Sequence, residues 1–499
     1  MLLDLAKDYL NQYSADLDKV PVRYVAGTLA AAGIAALLFT EKKKNYPPMV
    51  PYSLPLVGHT NLYKQDPKGF IASCAKKYGP VFRLIIEGKE VVVVDRNLVV
   101  FTTSQKHIDF MEAIYETTNI HSVLDFPVPT NMSNHEFVAE FVKQNLTRRL
   151  EVYVPRVAKL VQQGYDKWLG DIEGEKTLCG FVMLQDVVVA AAGSAMVGEE
   201  LCNDESLKAI FKRVVSDIAP TFTRRFPAYT KLWESFLFWY YDVPYRNLRE
   251  LRAIIKPEVE RRMHEREQQG ASWVRPNDLL QDFMDDSPPN VPVDYYVTKG
   301  LHSIAFAAMH TTSMFGSIVI YAMAKYQEFI EELVQEQREI HAVNPEITSE
   351  TLKQMVKLDS FIRESMRRSN PPIGLTHKVL KDTKLPNGMD VNKGAHISIN
   401  FISTHETDEN GEMDAEFKPF RFVGKAKTAV KPGVDFLSFG FGKHTCPGRF
   451  FAISEIKYLA AILLRGYEFR LEDPASQVFS YFQQVPTSNI VFKKRTDFA

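Results

Sequence analysis

A single cysteine, Cys446, stands in the stretch FLSFGFGKHTCPGRFF in a setting that suits metal ligation. Gly440 and Gly442 let the backbone turn tightly and come close to a bulky partner. Pro447 and Gly448 precede a strongly apolar helical pattern, which places the cysteine just before the N-terminus of a helix. Because helix N-terminal amides favour a negative group, we expect them to lower the pKa of this thiol and to favour the thiolate.

A lone cysteine restricts the choice of metal centre. Structural zinc requires four protein ligands, and the cysteines at positions 74, 179, 202 and 446 show neither a zinc spacing nor a disulfide framework. Haem needs only one axial thiolate, because the porphyrin supplies the other donors. The alternative is an inert buried cysteine, which is common in protein cores. From this segment alone both interpretations stay open, and the unpaired cysteines favour a reducing compartment.

The longest apolar segment, residues 297–324, predicts a helix that is apolar on nearly all sides (VTKGLHSIAFAAMHTTSMFGSIVIYAMA). Such a helix either crosses a membrane or is buried in the core of a domain. Because Lys299, His302 and Thr311 would be costly in lipid, we expect a core helix with a polar interruption. That interruption requires hydrogen-bonding partners or a functional reason.

The elements that would position these residues are mainly helical. Helical periodicity dominates from about residue 134 to 358, and a further long helix is predicted from Gly448 onward. Residues 81–94 (VFRLIIEGKEVVVV) predict a β-hairpin, and short strands are expected between residues 376 and 400. We therefore expect one large, mostly helical unit with a minor β part.

Two stretches resemble the cytochrome P450 superfamily. FGFGKHTCPG is similar to its haem-binding signature, with Phe439, Gly442, Cys446 and Gly448 at the expected spacing. AAMHTT, residues 307–312, resembles the oxygen-activating turn of the family's long central helix. Together with the two motifs described next, these matches argue against the inert-cysteine interpretation.

Two further stretches resemble the same family in the expected order. ESMR, residues 364–367, is similar to its Glu-x-x-Arg motif, and FKPFRF, residues 417–422, to the segment whose arginine completes a buried ion network. That arginine is Arg421 here. The alternative for Glu364 and Arg367 is an ordinary surface pair worth about 0.2–0.5 kcal/mol. The resemblance covers nearly the whole chain and implies the cytochrome P450 fold, mainly α with a minor β part, preceded by an N-terminal membrane-anchor helix.

The resemblance also assigns roles to residues. Cys446 would be the axial ligand of the iron of haem b, and Phe439, Gly442 and Gly448 would belong to the cofactor-binding loop. Thr311 stands where the family places the hydroxyl of its proton relay. The family usually has an acid before this threonine, whereas this chain has His310, which can also relay protons near neutral pH.

Three positions concern the haem propionates. His444 stands where arginine or histidine usually contacts a propionate, and His377 where an arginine is usual. Two imidazoles at these positions predict that haem retention weakens as pH rises past their pKa values. The familiar tryptophan–arginine pair of the next helix is absent, so Lys143 is the candidate there, against the alternative of a solvated basic face.

The function implied by the resemblance is that of a haem-dependent monooxygenase. Its expected substrate is a lipophilic small molecule such as a terpenoid, steroid or related secondary metabolite, which fungal members of the family oxidise with O₂. Residues 119–132 would face that substrate. The alternatives are a haem-thiolate isomerase or dehydratase that needs no reductase, and a non-catalytic haem carrier or sensor.

Electrons are expected from an external NADPH-dependent reductase flavoprotein, because the chain shows no flavin or nicotinamide motif. A basic patch around the ligand loop would suit an acidic reductase, although a charge run is usually a solvated face. The patch comprises Lys425, Lys427, Lys431, Lys443 and Arg449. A formal net charge of −1 gives no support to a nucleic-acid partner.

The N-terminus predicts a membrane anchor. Residues 25–39 form a 15-residue apolar run, EKKK follows at 41–44, and prolines at 47, 48, 51 and 55 make a stiff connector. We expect an N-terminal segment at 1–45 with the anchor at about 22–40, and a catalytic domain at 46–499 whose connector spans 46–58. The alternatives are a signal peptide or a buried helix. The lysines predict an endoplasmic reticulum protein with its catalytic domain facing the cytosol.

Overall fold

The computed structural model describes residues 45–52, 57–117, 127–128, 132–170, 172–218, 243–408, 412–479, 486 and 488–498. The predicted anchor and most of the predicted substrate-facing segment lie outside these residues. The connector is described in part and runs along a strand: Arg83 N donates to Pro48 O at 2.8 Å, and Val50 N donates to Arg83 O at 3.0 Å.

Helices dominate the described part of the chain. In chain order they are α1 (Thr60–Gln65), α2 (Pro67–Tyr78), α3 (Val99–Ser104), α4 (Phe110–Thr117), α5 (Asn134–Val142), α6 (Leu150–Leu169), α7 (Gly180–Leu201), α8 (Glu205–Ile218), α9 (Val243–Gln269), α10 (Leu279–Asp285), α11 (Val293–Lys325), α12 (Ile330–Val343), α13 (Ser349–Gln354), α14 (Val356–Arg368), α15 (Phe401–His405) and α16 (Arg449–Gly466). A π-helical turn, Lys143–Thr147, follows α5 directly. The predicted helical region and the predicted start of the last helix are confirmed.

Strands form three sheets in the same part of the chain. They are β1 (Val81–Ile86), β2 (Lys89–Val94), β3 (Ile108–Asp109), β4 (Glu175–Cys179), β5 (Ile373–Val379), β6 (Thr383–Lys384), β7 (Asp390–Val391), β8 (His396–Asn400), β9 (Tyr467–Leu471) and β10 (Asn489–Lys494). The sheet orders are β1-β2-β8-β5-β3, β4-β10-β9 and β6-β7. The predicted hairpin is confirmed as β1–β2, with Val81 opposite Val94. β4 interrupts the helical region, because its residues pair with β10 near the end of the chain.

The helix α11 runs through the core and packs against α7, α9 and α16. It is long and apolar enough to cross a membrane, but 67% of its most apolar window is buried inside the protein. The core position predicted from its polar residues is therefore confirmed. The hydroxyls of Ser313 and Ser317 donate to carbonyl groups one turn earlier, each at 2.7 Å, which satisfies part of the polar interruption.

The close contact between α11 and α16 depends on a glycine. A Cβ at Gly316 would lie 3.1 Å from Leu459 Cδ1 and 3.9 Å from Ile456 Cγ1, both on α16. Since Cys446 comes just before α16, this contact ties the ligand loop to the central helix.

A buried ion network on α14 holds the chain that leads to the ligand loop. The carboxylate of Glu364 is fully buried and accepts from Arg367 Nε at 2.7 Å and Nη2 at 2.8 Å. Arg421 Nε lies 3.0 Å from the same carboxylate, and Lys418 N donates to it at 2.9 Å. The surface-pair alternative is therefore wrong, because the third partner and the burial predicted from the motif are both present.

Candidate functional site

Cys446 is held by main-chain hydrogen bonds on both sides. Its amide donates to Phe439 O at 2.9 Å, and the amides of Gly448 and Arg449 donate to its sulfur. Burial raises the pKa of the Cys446 thiol, and the two amides and the charge of Arg449 oppose this rise without overcoming it. The amides at the helix N-terminus lower the pKa as expected, but for the thiol alone desolvation is the larger effect and the net shift is upward. A coordinated metal cation would deprotonate the thiol.

Two glycines shape the ligand loop by their backbone conformation. Gly440 has φ 72° and Gly442 has φ 68°, both in the left-handed region that favours glycine. A Cβ at Gly442 would also lie 3.1 Å from the carbonyl oxygen of Thr103 on α3. Gly448 differs, since a Cβ there would meet only Val142 Cγ1 at 4.0 Å. The fold requires glycine at 440 and 442 but not at 448.

The middle of α11 presents an open strip, formed by Ala307 and Thr311. Both are exposed although the helix is buried before and after them. Thr311 Oγ1 donates to Ala307 O at 2.7 Å. His310 is partly buried, and burial lowers its pKa, so its imidazole is neutral at neutral pH. The sequence prediction of a polar interruption at this point is confirmed, and its small residues leave room for a flat group.

Histidines gather between β5, the ligand loop and the start of α5. The ring of His444 lies 5.6 Å from that of His135 and 6.4 Å from that of His377, measured between centroids. His444 Nε2 is buried without a hydrogen bond of normal geometry, although a carboxylate oxygen of Asp109 lies 3.8 Å away. The two predicted propionate residues, His377 and His444, are thus brought together from chain positions 67 residues apart.

Lys143 is placed differently from these histidines. Its amine pairs with Glu140 at 3.1 Å, and 53% of its side chain is exposed. Its role toward a propionate stays a prediction. Arg149, a second basic residue of that region, donates to the carboxylate of Asp282 of α10 at 2.8 and 3.0 Å.

His135 and Asp109 were not predicted from the sequence as site residues, because their neighbours lie hundreds of residues away in the chain.

The described residues fit a haem with one axial thiolate. The sulfur of Cys446, with its amide donors, could ligate an iron. The open strip on α11 leaves room for a flat ring. The ring nitrogen of His444 that lacks a hydrogen bond could contact the acidic edge of that ring. Among the described residues, no group of three or more His, Cys, Asp or Glu side chains could hold a metal ion by itself. Cys446 would therefore supply the one protein ligand. When bound, haem supplies the binding and activation of O₂.

Comparisons with known proteins agree with this site. The model of the cytochrome P450 family matches residues 47–493. Cytochrome P450 monooxygenase 151 of Postia placenta is 25% identical over 521 aligned positions, which span 96% of this chain and 99% of that protein. Cytochrome P450 monooxygenase AN1598 of Emericella nidulans is 32% identical over 307 residues, 58% of this chain and 56% of that one.

A solved structure shows the same fold. The retinoic acid-bound cyanobacterial CYP120A1 has a TM-score of 0.69 at 21% sequence identity, covering 91% of this chain and 100% of that one. At this identity the similarity supports the fold alone. The family match over residues 47–493 and the named monooxygenases show that this chain is a monooxygenase of the cytochrome P450 family, with the haem-thiolate cofactor that the family implies.

Proposed function

We propose that this enzyme hydroxylates a lipophilic small molecule of the terpenoid, steroid or related secondary-metabolite kind. The observation that carries the lipophilic character is an apolar cluster beside the open strip. Val214 and Val215 of α8 pack there with Ile114 and Tyr115 of α4 and with Phe306 of α11. Phe306 directly precedes Ala307, so a molecule lying on the strip would meet hydrocarbon on this side.

Proton delivery is proposed for Thr311 and His310. The Thr311 hydroxyl is bonded to the carbonyl of Ala307 and exposed, so it can exchange that bond for one to a bound molecule. The neutral ring of His310 can accept a proton and return it. Together they would move protons along the helix surface where O₂ is to be reduced.

The electron donor is proposed to be an NADPH-dependent flavoprotein reductase that docks beside the ligand loop. A groove of about 510 Å³ is lined there by apolar side chains, including Val356, Val423 and Phe450, and by charged ones. The basic residues are Arg148, Lys353, Lys425, Lys427 and Lys457, and the acidic ones are Glu151 and Asp359. Phe450 lies four residues after Cys446, so a protein seated in this groove would be close to the iron ligand. Acidic groups on the partner would complement the basic side chains.

The basic patch is smaller than the sequence suggested. Lys443 pairs with Asp109 at 3.2 Å, and Lys427 pairs with Asp435 at 2.8 Å. The Lys431 amine donates to Ala426 O at 3.0 Å, and Arg449 donates to Cys446 O at 2.7 Å. Of the five predicted residues, Lys425 alone makes no such contact within the described part of the chain. It is therefore our first candidate for contact with the reductase.

The location is proposed to be the endoplasmic reticulum membrane, with residues 22–40 as the anchor and the catalytic domain in the cytosol. The composition of the N-terminal segment supports this. Alkaline extraction of membranes should leave the full chain in the pellet and release a chain that begins at residue 46. Release of both would contradict the anchor.

The alternatives of a reductase-independent isomerase or dehydratase, and of a haem carrier, are not favoured. The relatives reported above are named monooxygenases, and the exposed Thr311 hydroxyl supports the proposed proton relay. A carrier would bind lipophilic ligands without consuming NADPH in the presence of reductase.

The carbon monoxide difference spectrum of the reduced protein tests the haem-thiolate assignment. Wild type should show the strongly red-shifted Soret band of a thiolate-ligated haem, and Cys446→Ala should lose it. Cys202→Ala is the control, because Cys202 is a free cysteine that lies outside the ligand loop. A red-shifted band that survives in Cys446→Ala would contradict the assignment. With that band established, product formation from a panel of terpenoids and steroids with reductase tests the substrate class.

A further inference from the structure

Arg363 is a buried arginine of α14 whose hydrogen-bonding partners differ from those of its neighbour Glu364. Its side chain is 1% exposed. Nη1 donates to the carbonyl oxygens of Thr428 and Lys431, each at 2.7 Å. A carboxylate oxygen of Asp435 lies 3.8 Å from Nη2, which is too far for a hydrogen bond. The hydrogen bonds of Arg363 therefore go to backbone carbonyls.

Two aromatic rings fix the direction of the Arg363 guanidinium. Its central carbon lies 4.0 Å from the ring centroid of Phe436 and 4.8 Å from that of Phe422. Stacking of this kind suits a planar cation and leaves the donors at its edge free to form hydrogen bonds. Burial lowers the pKa of Arg363 to about 10, so the group keeps its charge at neutral pH. Arg363 thus presents fixed, charged donors to the chain that leads to the ligand loop.

The two carbonyl groups that Arg363 binds belong to one tight turn, residues 428–431. Lys431 N donates to Thr428 O at 3.0 Å, which closes the turn, and Ala429 within it is fully buried. The amide of Ala429 donates to Asp359 Oδ2 at 2.8 Å, so a second side chain of α14 binds the same turn. One helix thereby holds an amide and two carbonyl groups of these four residues.

Arg449 joins this turn to the iron ligand. It is the first residue of α16, and its Nε donates to Val430 O at 3.1 Å. Its Nη1 donates to the carbonyl oxygen of Cys446 at 2.7 Å. The guanidinium of Arg449 therefore bridges the turn and the ligand, and a continuous path of hydrogen bonds leads from Arg363 to Cys446.

We propose that Arg363 is a positioning residue for the iron ligand, acting through the turn 428–431 and Arg449. Charge-assisted hydrogen bonds are stronger than neutral ones, so a turn held by them has little freedom to shift. Without Arg363, two carbonyl groups of the turn lose a charged donor, and Arg449 moves with the turn. The backbone of Cys446 then loses its fixed partner, and the thiolate leaves the iron more easily. The inference rests on the haem-thiolate ligation described above.

The decay of the thiolate band of the reduced carbon monoxide complex tests this role without any measurement of activity. Arg363→Met keeps an unbranched side chain between the two aromatic rings and removes every donor. We expect its thiolate band to decay about tenfold faster than that of wild type, the change that corresponds to one lost hydrogen bond to a charged group. Arg363→Lys keeps a charge and a donor, and its band should decay at an intermediate rate.

Arg495→Met is the matched control. The side chain of Arg495 is also buried, and it donates to two carbonyl oxygens, those of Leu464 and Tyr467, at the other end of α16 from the ligand loop. Its loss removes the same kind of contact at a distance from Cys446. The thiolate band of this variant should therefore decay at the wild-type rate.

A second background separates positioning of the ligand from a general loss of stability. If Arg363 acts through Arg449, Arg363→Met should change the decay rate less than twofold in a protein that already carries Arg449→Met. Arg449→Met by itself should decay at least as fast as Arg363→Met, because it removes the contact with Cys446 directly. A lower general stability would instead accelerate the decay by the same factor in both backgrounds.

The outcomes separate this inference from the proposed function. If wild type shows no thiolate-ligated haem band, the haem assignment fails and the inference fails with it. If wild type shows the band and Arg363→Met decays within twofold of the wild-type rate, the role of Arg363 is overturned. Equal acceleration in both backgrounds, or decay of Arg495→Met as fast as that of Arg363→Met, also overturns it. If Arg363→Met binds too little haem to be measured, Arg363→Lys is compared in the two backgrounds by the same criteria.

Discussion

At two residues in and after the ligand loop, burial decides protonation more than the immediate neighbours do. The thiol of Cys446 and the carboxyl of Glu455 lie nine residues apart, and in both burial raises the pKa. Neither oxygen of Glu455 has a hydrogen bond of normal geometry within the described residues. The Ala192 amide favours its charged form slightly, but burial raises the pKa of Glu455 to about 8. The site therefore holds a neutral carboxylic acid at neutral pH.

Glu455→Gln is expected to stabilise the enzyme at alkaline pH. The pKa of this carboxyl is 4.5 in the unfolded chain and about 8 in the folded protein, so the unfolded chain loses the proton at lower pH. The free energy of unfolding therefore falls as pH rises from about 4.5 to about 8. The loss between pH 5 and pH 8 amounts to roughly 3 kcal/mol. The variant should therefore match wild type in Tm near pH 5 and exceed it at pH 8. Glu339→Gln at an exposed site is the control, and equal pH profiles for all three proteins would refute the prediction.

Thr311→Ala is expected to uncouple electron use from oxygenation. Loss of a positioned proton-transfer group typically costs about 100-fold or more in rate. Product formed per NADPH consumed should fall steeply, while spectral binding of the substrate stays near wild type. Thr312→Ala, at the buried neighbouring position, is the control. Unchanged coupling in Thr311→Ala would remove this residue from the proton relay.

At the scale of elements, α14 and the ligand loop set the position of the iron ligand. The fully buried carboxylate of Glu364 joins two arginines, Arg367 from its own helix and Arg421 from the chain that leads to the loop. Arg367 also donates to the carbonyl oxygens of His405 and Glu416. One short motif thereby fixes segments 38 to 57 residues away along the chain.

Glu364→Gln is expected to lower stability strongly. It leaves two buried arginines without their shared carboxylate, and breaking a buried ion pair costs about 3–5 kcal/mol. Chemical denaturation of the haem-loaded protein would measure the change. The matched control is Glu350→Gln, which removes an exposed pair with Lys353 at the same three-residue spacing and should cost less than about 1 kcal/mol. Equal effects of both variants would argue against a buried network.

The two loop glycines should respond differently to alanine. Gly442→Ala meets a positive φ and a carbonyl oxygen at 3.1 Å, so it should cost about 1–2 kcal/mol in stability. Gly448→Ala meets only Val142 at 4.0 Å and should leave stability unchanged. If Gly448→Ala is stable but loses haem faster than wild type, residue 448 contacts the cofactor. Normal haem retention in that variant would remove Gly448 from the cofactor-binding residues.

At the scale of the whole molecule, ion pairing is extensive: within the described part of the chain, many lysines and arginines have a carboxylate partner, including Lys443 and Lys427 of the predicted basic patch. The proposed docking surface for the reductase is therefore narrower than the predicted basic patch. It is centred on Lys425 and Arg148, which line an apolar groove. The predicted loss of haem with rising pH depends on the protonation of His377. Burial already keeps this ring neutral at neutral pH, so it can lose a proton in that range only if a nearby propionate raises its pKa.

Lys425→Glu is expected to weaken the functional interaction with the reductase. Reversing the charge at the groove should raise the reductase concentration needed for half-maximal turnover several-fold at low salt, and the difference should shrink at high salt. Reduction by dithionite should be unaffected. Lys159→Glu on α6 is the control, because this exposed lysine does not line the groove. Equal responses to the two reversals would place the docking site elsewhere.

Local patterns were sufficient to predict the ligand loop with Cys446 as a candidate metal ligand, the central core helix and the β1–β2 hairpin. Each depends on residues within a few turns or on one strand pair, so composition and spacing carry the information. The resemblance then supplied the family, the Glu-x-x-Arg motif on α14, and Thr311, His444 and His377 as candidates.

The partners of these residues could not be predicted in the same way. Three contacts join positions about three hundred residues apart in the chain. They are the ion pair of Lys443 with Asp109, the ring contact of His135 with His444, and the pairing of β4 with β10. The raised pKa of Cys446 likewise depends on how deeply the fold buries the sulfur. Spacing along the chain determines which chemistry is available, but desolvation and charge pairing depend on three-dimensional packing, which brings distant residues together.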